Sequence, residues 1–308
     1  MGTARVAPTT DAAGLTVRLA ALGFAAEAAA MAAAVAGGLG RLGGITNTSH
    51  RVMTHQGEVV IRLPGAGTAG LIDRGADGEN SAIMSQRGID VPLVAFDAQS
   101  GLKLTRYLAT ARPLTANELR DPACLVEICA LLRRVHKSGG PFRSAFCPLA
   151  LGEQATALLS SLDLPLPTEL GLATAALAQC RERLARGAPP PVPCHQDLYR
   201  ENFLRTGEGL LLIDWEHSGL GDPLYDLADL AVQAGLDHNE ARALLDGYHQ
   251  TPSISAEVEA RFALQRQVSR LTWGVWAVTR ASLGYAWPEH RAAGVAKIVA
   301  ARAELGLG

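Results

Sequence analysis

The sequence predicts an α+β fold, in which a small antiparallel sheet with one main helix precedes a larger, mostly helical region. Three observations point there. The stretch up to about residue 110 carries short β-forming runs separated by glycine turns. Beyond Pro113, apolar residues recur at helical spacing. Hydrophobic residues make up 48% of the 308 and charged residues 19%, so the chain can bury a sizeable core and is not disordered as a whole. The length suits about two domains or one large one, and the change of pattern divides it into 1–110 and 111–308.

Taken in order, an Ala-rich helix occupies Leu19 to Gly40 and ends where glycines cluster, at Gly37, Gly38, Gly40, Gly43 and Gly44. Ser49 to Thr54 and Val59 to Leu63 form a hairpin around Gln56-Gly57, stopped by Pro64-Gly65. Glu79 to Arg87 reads as a helix closed by Gly88, and Val91 to Phe96 with Leu102 to Tyr107 as a second strand pair. Helical spacing then marks Asn117 to Val135, Leu170 to Leu184, Glu240 to Tyr248 and Glu257 to Thr279. Between them, Leu210 to Ile213 is a short buried strand that ends on an acid. No repeat of solenoid period occurs.

Composition removes several classes of function. The balance of 28 Lys+Arg against 30 Asp+Glu, with no like-charge block, argues against a nucleic-acid partner held by a basic surface. The five cysteines, odd in number and without a C-x-x-C pair, form neither a disulfide scaffold nor a zinc site and favour a reducing, cytoplasmic setting. Leu19 to Gly40 is long enough to span a bilayer. Yet it contains Glu27 and gains little from lipid through Ala and Gly, so no membrane is expected.

Residues 194 to 202 read Cys-His-Gln-Asp-Leu-Tyr-Arg-Glu-Asn, and Asp214 follows the apolar strand in Ile-Asp-Trp-Glu. Phosphoryl transfer needs a carboxylate to accept the proton of the attacking hydroxyl, and oxygen ligands to hold magnesium against the phosphates. Asp197 suits the first role; Asn202 and Asp214 suit the second. His195 is expected to hold the loop backbone rather than react. A bare H-x-D is usually a loop making turn hydrogen bonds. H-x-D-x-x-x-x-N followed by a strand ending in Asp matches the catalytic and metal loops of kinases, with Asp-Trp-Glu in place of Asp-Phe-Gly.

Cys194 to Leu204 and Leu211 to Leu230 (LLIDWEHSGLGDPLYDLADL) resemble the choline/ethanolamine kinase branch of the aminoglycoside-phosphotransferase-like superfamily. The resemblance runs from about Leu42 to Tyr285. It implies a protein-kinase-like two-lobed fold, with ATP and Mg2+ as cofactors and a small alcohol as acceptor. Gly43, Gly44, Thr46 and Asn47 look like the nucleotide loop of that branch, and Arg62 stands where protein kinases place lysine. The residues fit these roles: the glycines let backbone approach phosphate, and an arginine grips phosphate with two donors. Glu79 is expected to open the next helix and pair with Arg62, and an exposed helix-start Glu is the plain alternative. Asp226 is expected to buttress the catalytic loop, and Asp222 or Asp226 to cap the following helix.

Trp273 and Trp276 share a helix face. Paired tryptophans usually fill cores, but choline kinases carry a similar Trp-Gly-x-Trp pair, and a quaternary ammonium is held by aromatic faces. With Asp197 and Glu216 they make up the expected acceptor site. Two positions depart from the choline-kinase pattern: Gln233 stands where a glutamate is common, and His217 where an aromatic is usual. The expected reaction is in-line transfer of the γ-phosphoryl group to an amino alcohol, choline or ethanolamine. An aminoglycoside or thiamine-like hydroxyl and a non-catalytic nucleotide-binding protein are the alternatives. A metal hydrolase fails on ligand spacing, with no H-x-H and no H-x-x-x-H. The chain acts as a monomer or homodimer on this reading.

Overall fold

The computed structural model describes residues 11–43, 47–68, 70–143, 146–285 and 288–307. Asp11 caps α1 (Ala12–Leu19) by accepting from the Gly14 N–H at 2.7 Å. The Ala-rich segment is not one helix. It widens over Ala20–Phe24, turns at Gly23 (φ +99°), and resumes as α2 (Ala28–Ala36). Only glycine adopts that backbone without strain, which is why the break falls there. Leu15, Leu19, Phe24, Met31 and Val35 share one buried cluster with Val52, Val59, Ile61, Leu102 and Leu104 of the sheet. The helices are therefore the cover of their own sheet, and each fully buried large side chain contributes about 1.5–3 kcal/mol.

That sheet contains β1 (Arg41–Gly43), β2 (Thr48–Thr54), β3 (Gly57–Leu63), β4 (Leu93–Asp97) and β5 (Leu102–Arg106), in the order β1-β2-β3-β5-β4 and antiparallel throughout. Both expected strand pairs are present; β1 adds an edge strand. The main helix α3 (Arg74–Gln86) starts earlier than the sequence suggests, because Asp73 caps it by accepting from the Ala76 N–H at 3.0 Å. The connection from β3 to α3 leaves the sheet. Leu71 and Ile72 join the apolar cluster of the C-terminal helices, and Tyr285 lies so close to Gly67 (φ +74°) that an added Cβ would sit 2.1 Å from its ring.

The rest is helical apart from short strands: β6 (Arg112–Pro113), α4 (Pro122–His136), α5 (Leu151–Ser161), α6 (Thr168–Ala185), β7 (Val192–Cys194), β8 (Phe203–Thr206), β9 (Gly209–Leu212), β10 (Gly219–Gly221), α7 (Pro223–Gln233), α8 (His238–His249), α9 (Ala256–Ser282) and α10 (Pro288–Glu304). The four helical periodicities correspond to α4, α6, α8 and α9. Two apolar cores hold this part together, one around α4, α7 and α8 and one around α5, α6 and α9. No helix among the described residues is long and apolar enough to cross a membrane.

Candidate active site

Two short strand pairs place the chemistry. β8 and β9 form a hairpin with Phe203 opposite Leu212, and the Ile213 N–H donates to the Asn202 carbonyl at 2.9 Å. The end of the catalytic loop is thereby held against the start of the Asp214 loop. β7 pairs with β10, Cys194 opposite Gly219, and closes the segment at its other end. Asp197 and Asn202 meet inside: Asn202 Nδ2 donates to the Asp197 backbone carbonyl at 2.9 Å and to its carboxylate at 3.3 Å. Asp214 has φ +70° and Gln196 +66°. Left-handed backbone at non-glycine residues is strained, and it gathers at sites where surroundings fix it for function.

Asp226 is the buttress. Its carboxylate accepts from the His195 N–H at 2.9 Å and the Gln196 N–H at 2.8 Å, and it lies 3.0 Å from His136 Nε2. His195 Nδ1 accepts from the Asp197 N–H at 3.3 Å, and Nε2 donates to the Ile213 carbonyl at 2.9 Å. That tautomer follows from the partners. Burial lowers the His195 pKa, so the ring is neutral and spaces the two loops. Asp222 caps α7, accepting from the Leu224 N–H at 2.9 Å. Among the described residues one His/Cys/Asp/Glu group has metal spacing, His136–Cys194–Asp226. It is no metal site: the carboxylate is committed to hydrogen bonds, and burial pushes the Cys194 thiol far up, so it keeps its proton.

Asp197 lies between carboxylates. Burial, with Asp229, Asp214 and Glu216 nearby, holds it well above the usual carboxylate range. Asp229, one turn after Asp226 on α7, accepts from the Leu198 N–H at 2.8 Å, Ser269 Oγ at 2.7 Å and Trp273 Nε1 at 2.6 Å. Burial raises it to about 6 despite these donors.

Arg62 points into the cleft, as its strand alternation predicts, but its partners differ from the expectation. It bonds Asp214 with one nitrogen and Asp77 with the other. Glu79 is not its partner: it sits inside α3 rather than at its start, faces away, and pairs with Arg143 at 3.1 Å. Asp77 also takes Lys103 Nζ at 2.9 Å. Arg62 and Lys103 are directly opposite on β3 and β5, a like-charge pair that would repel without the carboxylate between them. Burial works against the charge on Asp77, yet Arg62 and Lys103 outweigh it and hold the pKa at about 2. Glu216 faces both ways: Oε2 lies 3.1 Å from Arg74 and 3.8 Å from Arg62, tying the Asp-Trp-Glu loop to α3, and Oε1 lies 3.8 Å from His217 beside the tryptophans.

Asn47 bridges two elements: Nδ2 donates to Asp214 at 3.3 Å, and Oδ1 accepts from the Gly65 N–H at 3.0 Å. Gly43 ends β1; Gly44 and Thr46 lie outside the described residues. At the far end of the cleft the two tryptophans meet edge to face, ring centres 6.4 Å apart. His217 lies among them, 4.9 Å from Trp276, 5.4 Å from Trp273 and 4.8 Å from Phe146. Arg280 stands over Trp276 at 6.0 Å. Gln233 is elsewhere, lining a cavity of about 240 Å³ with Tyr199, Arg200 and Leu119.

The donor set suits a hard cation. Asn202 spends its Nδ2 on Asp197, which leaves Oδ1 without a hydrogen bond among the described residues, and the Asp214 carboxylate is partly exposed. A sheet lobe over a helical lobe, with Asp197, Asn202 and Asp214 brought together between them, is the arrangement of a kinase-like phosphotransferase. The chain belongs to the phosphotransferase enzyme family, whose model matches residues 39–262. Protein LicA of Haemophilus influenzae is 31% identical over 246 residues, 76% of this chain and 71% of that one. A choline/ethanolamine kinase family protein of Mesorhizobium loti has the same fold, with TM-score 0.73 and 26% identity over 94% of each chain. So does choline kinase LicA of Streptococcus pneumoniae, with TM-score 0.73 and 26% identity over 89% of this chain and 98% of that one.

Proposed function

We propose that the protein transfers the γ-phosphoryl group of ATP to the hydroxyl of an amino alcohol, with choline and ethanolamine the foremost acceptors. The observation that carries this reading is the junction of Asp197, Asn202 and Asp214, joined by Asn202 and by the β8–β9 register. Asp197, its proton affinity raised by burial and neighbouring carboxylates, accepts the hydroxyl proton as the alcohol oxygen bonds to phosphorus and ADP leaves. Asn202 Oδ1 and Asp214 would hold magnesium, which supplies charge neutralisation at the β- and γ-phosphates. Asn47 and Arg62 reach the phosphates from the sheet, and Arg62 releases Asp214 as they arrive. Trp273 and Trp276 receive the ammonium head, with Asp229 behind Trp273 adding negative potential. Catalysis in this class is positioning and charge neutralisation, so no covalent enzyme intermediate is needed.

The test is ADP release with ATP and Mg2+ in the presence of choline, ethanolamine, thiamine, an aminoglycoside or homoserine. Turnover of choline or ethanolamine at least tenfold above the other alcohols supports the reading. No stimulation by either would falsify it.

A further inference from the structure

His217 lies in the aromatic cluster with an unused polar atom. Its side chain is buried, 4% exposed, and Nδ1 has no hydrogen-bond partner among the described residues. Nε2 lies 3.8 Å from Glu216 Oε1, beyond hydrogen-bond reach but close enough for the carboxylate to draw the ring proton to that nitrogen. Nδ1 then carries the lone pair, on a ring whose centre lies 4.8 Å from that of Phe146, 4.9 Å from Trp276 and 5.4 Å from Trp273. Burial holds the ring neutral, its pKa near 4. An acceptor atom left unpaired in an apolar box costs free energy, so such an atom in a native fold calls for a partner. The cluster is also joined to the reaction centre, since Trp273 and the Leu198 N–H share Asp229.

We infer that His217 Nδ1 accepts a hydrogen bond from an N–H of the acceptor's ammonium group, and so biases the site toward amino alcohols that carry one. This rests on the amino-alcohol reading above. Aromatic rings hold any ammonium, whereas a lone pair distinguishes a primary or partly methylated ammonium, which has N–H donors, from a quaternary one, which has none. A phenyl ring at position 217 offers no lone pair at all.

The experiment compares kcat/KM for ethanolamine and choline in the wild type and in His217→Phe, with the KM for ATP and the thermal midpoint measured alongside. The expected result is a fall in the ethanolamine-to-choline ratio of about tenfold, the scale of one hydrogen bond, with the KM for ATP unmoved. Equal losses for both acceptors, or a larger loss for choline, would overturn the inference and leave the kinase reading intact. A wild type that turns over neither acceptor removes both. If His217→Phe does not fold, dimethylethanolamine, which keeps one N–H, is compared with choline in the wild type. Equal or better turnover of dimethylethanolamine supports the hydrogen bond, and a preference for choline of any size beyond error overturns it.

Discussion

At the end of the cleft near the sheet, each buried charge faces a counter-charge. Arg62 and Lys103 share Asp77, Arg62 also reaches Asp214, and Arg74 holds Glu216. At the helical end, by contrast, rings predominate; His217 Nδ1 and Arg280 Nη1 have no partner among the described residues, whereas the charged end leaves only Arg62 Nε unpaired on an otherwise paired guanidinium. On the proposed function the two ends meet opposite demands. A triphosphate would bring several charges to a site balanced beforehand, whereas an acceptor would be chosen by shape and one or two directional contacts.

The sharpest way to break this contrast is at the junction of the two ends. Asp197→Asn is expected to lower kcat by about a hundred- to ten-thousandfold, the range of a general base, with an unchanged circular-dichroism melt. A loss below tenfold would mean that another group takes the proton. Next comes the charged end. Asp77→Ala strands Lys103 in the interior and takes from Arg62 one of its carboxylates, and is expected to cost about 3–5 kcal/mol of stability by urea unfolding. Glu79→Ala removes only an exposed pair with Arg143 and is expected to stay within about 0.5 kcal/mol; comparable losses in the two would erase the distinction drawn between them.

The aromatic end gives smaller effects. His217 has a folded pKa of about 4 against 6.5 unfolded, because burial disfavours its charge. Between those values the unfolded chain binds more protons, so this residue's contribution to stability is complete above about pH 6.5 and is lost as pH falls toward 4. The wild-type stability curve should therefore be steeper than that of His217→Phe in this window, by at most about 1.4 kcal/mol per pH unit. Parallel urea titrations from pH 7 to pH 4 would show no difference if the ring were charged in the fold. Trp273→Phe keeps a ring but loses the bond to Asp229, and should raise the KM of the acceptor several-fold while leaving that of ATP alone.

What the sequence made legible was local. The catalytic loop, the strand after it and Asp214 lie within about twenty residues, so one hairpin register brings them together. The second sheet hairpin and four long helices carried their own periodicity and turns. What it hid was tertiary. Two glycines inside α3 masked its start at Arg74, which moved the expected partner of Arg62 to Glu79. Once the helix begins at Arg74, Asp77 and Ser81 share the face toward the sheet, and Glu79 falls on the other side. Nothing local marks Lys103, because only the β3–β5 register sets it opposite Arg62. Glu216 and His217 are neighbours that join the two ends of the cleft, since one carboxylate oxygen of Glu216 meets Arg74 and the other lies 3.8 Å from the His217 ring. His136 and Asp229 show their role only when α4 and α7 pack beneath the catalytic loop.

The descent of Leu71 and Ile72 into the helical core, with Gly67 under Tyr285, adds an apolar mooring to the charged ties across the cleft. A side chain larger than hydrogen at position 67 would press into the Tyr285 ring and strain a backbone that only glycine adopts freely, so this mooring tolerates no other residue.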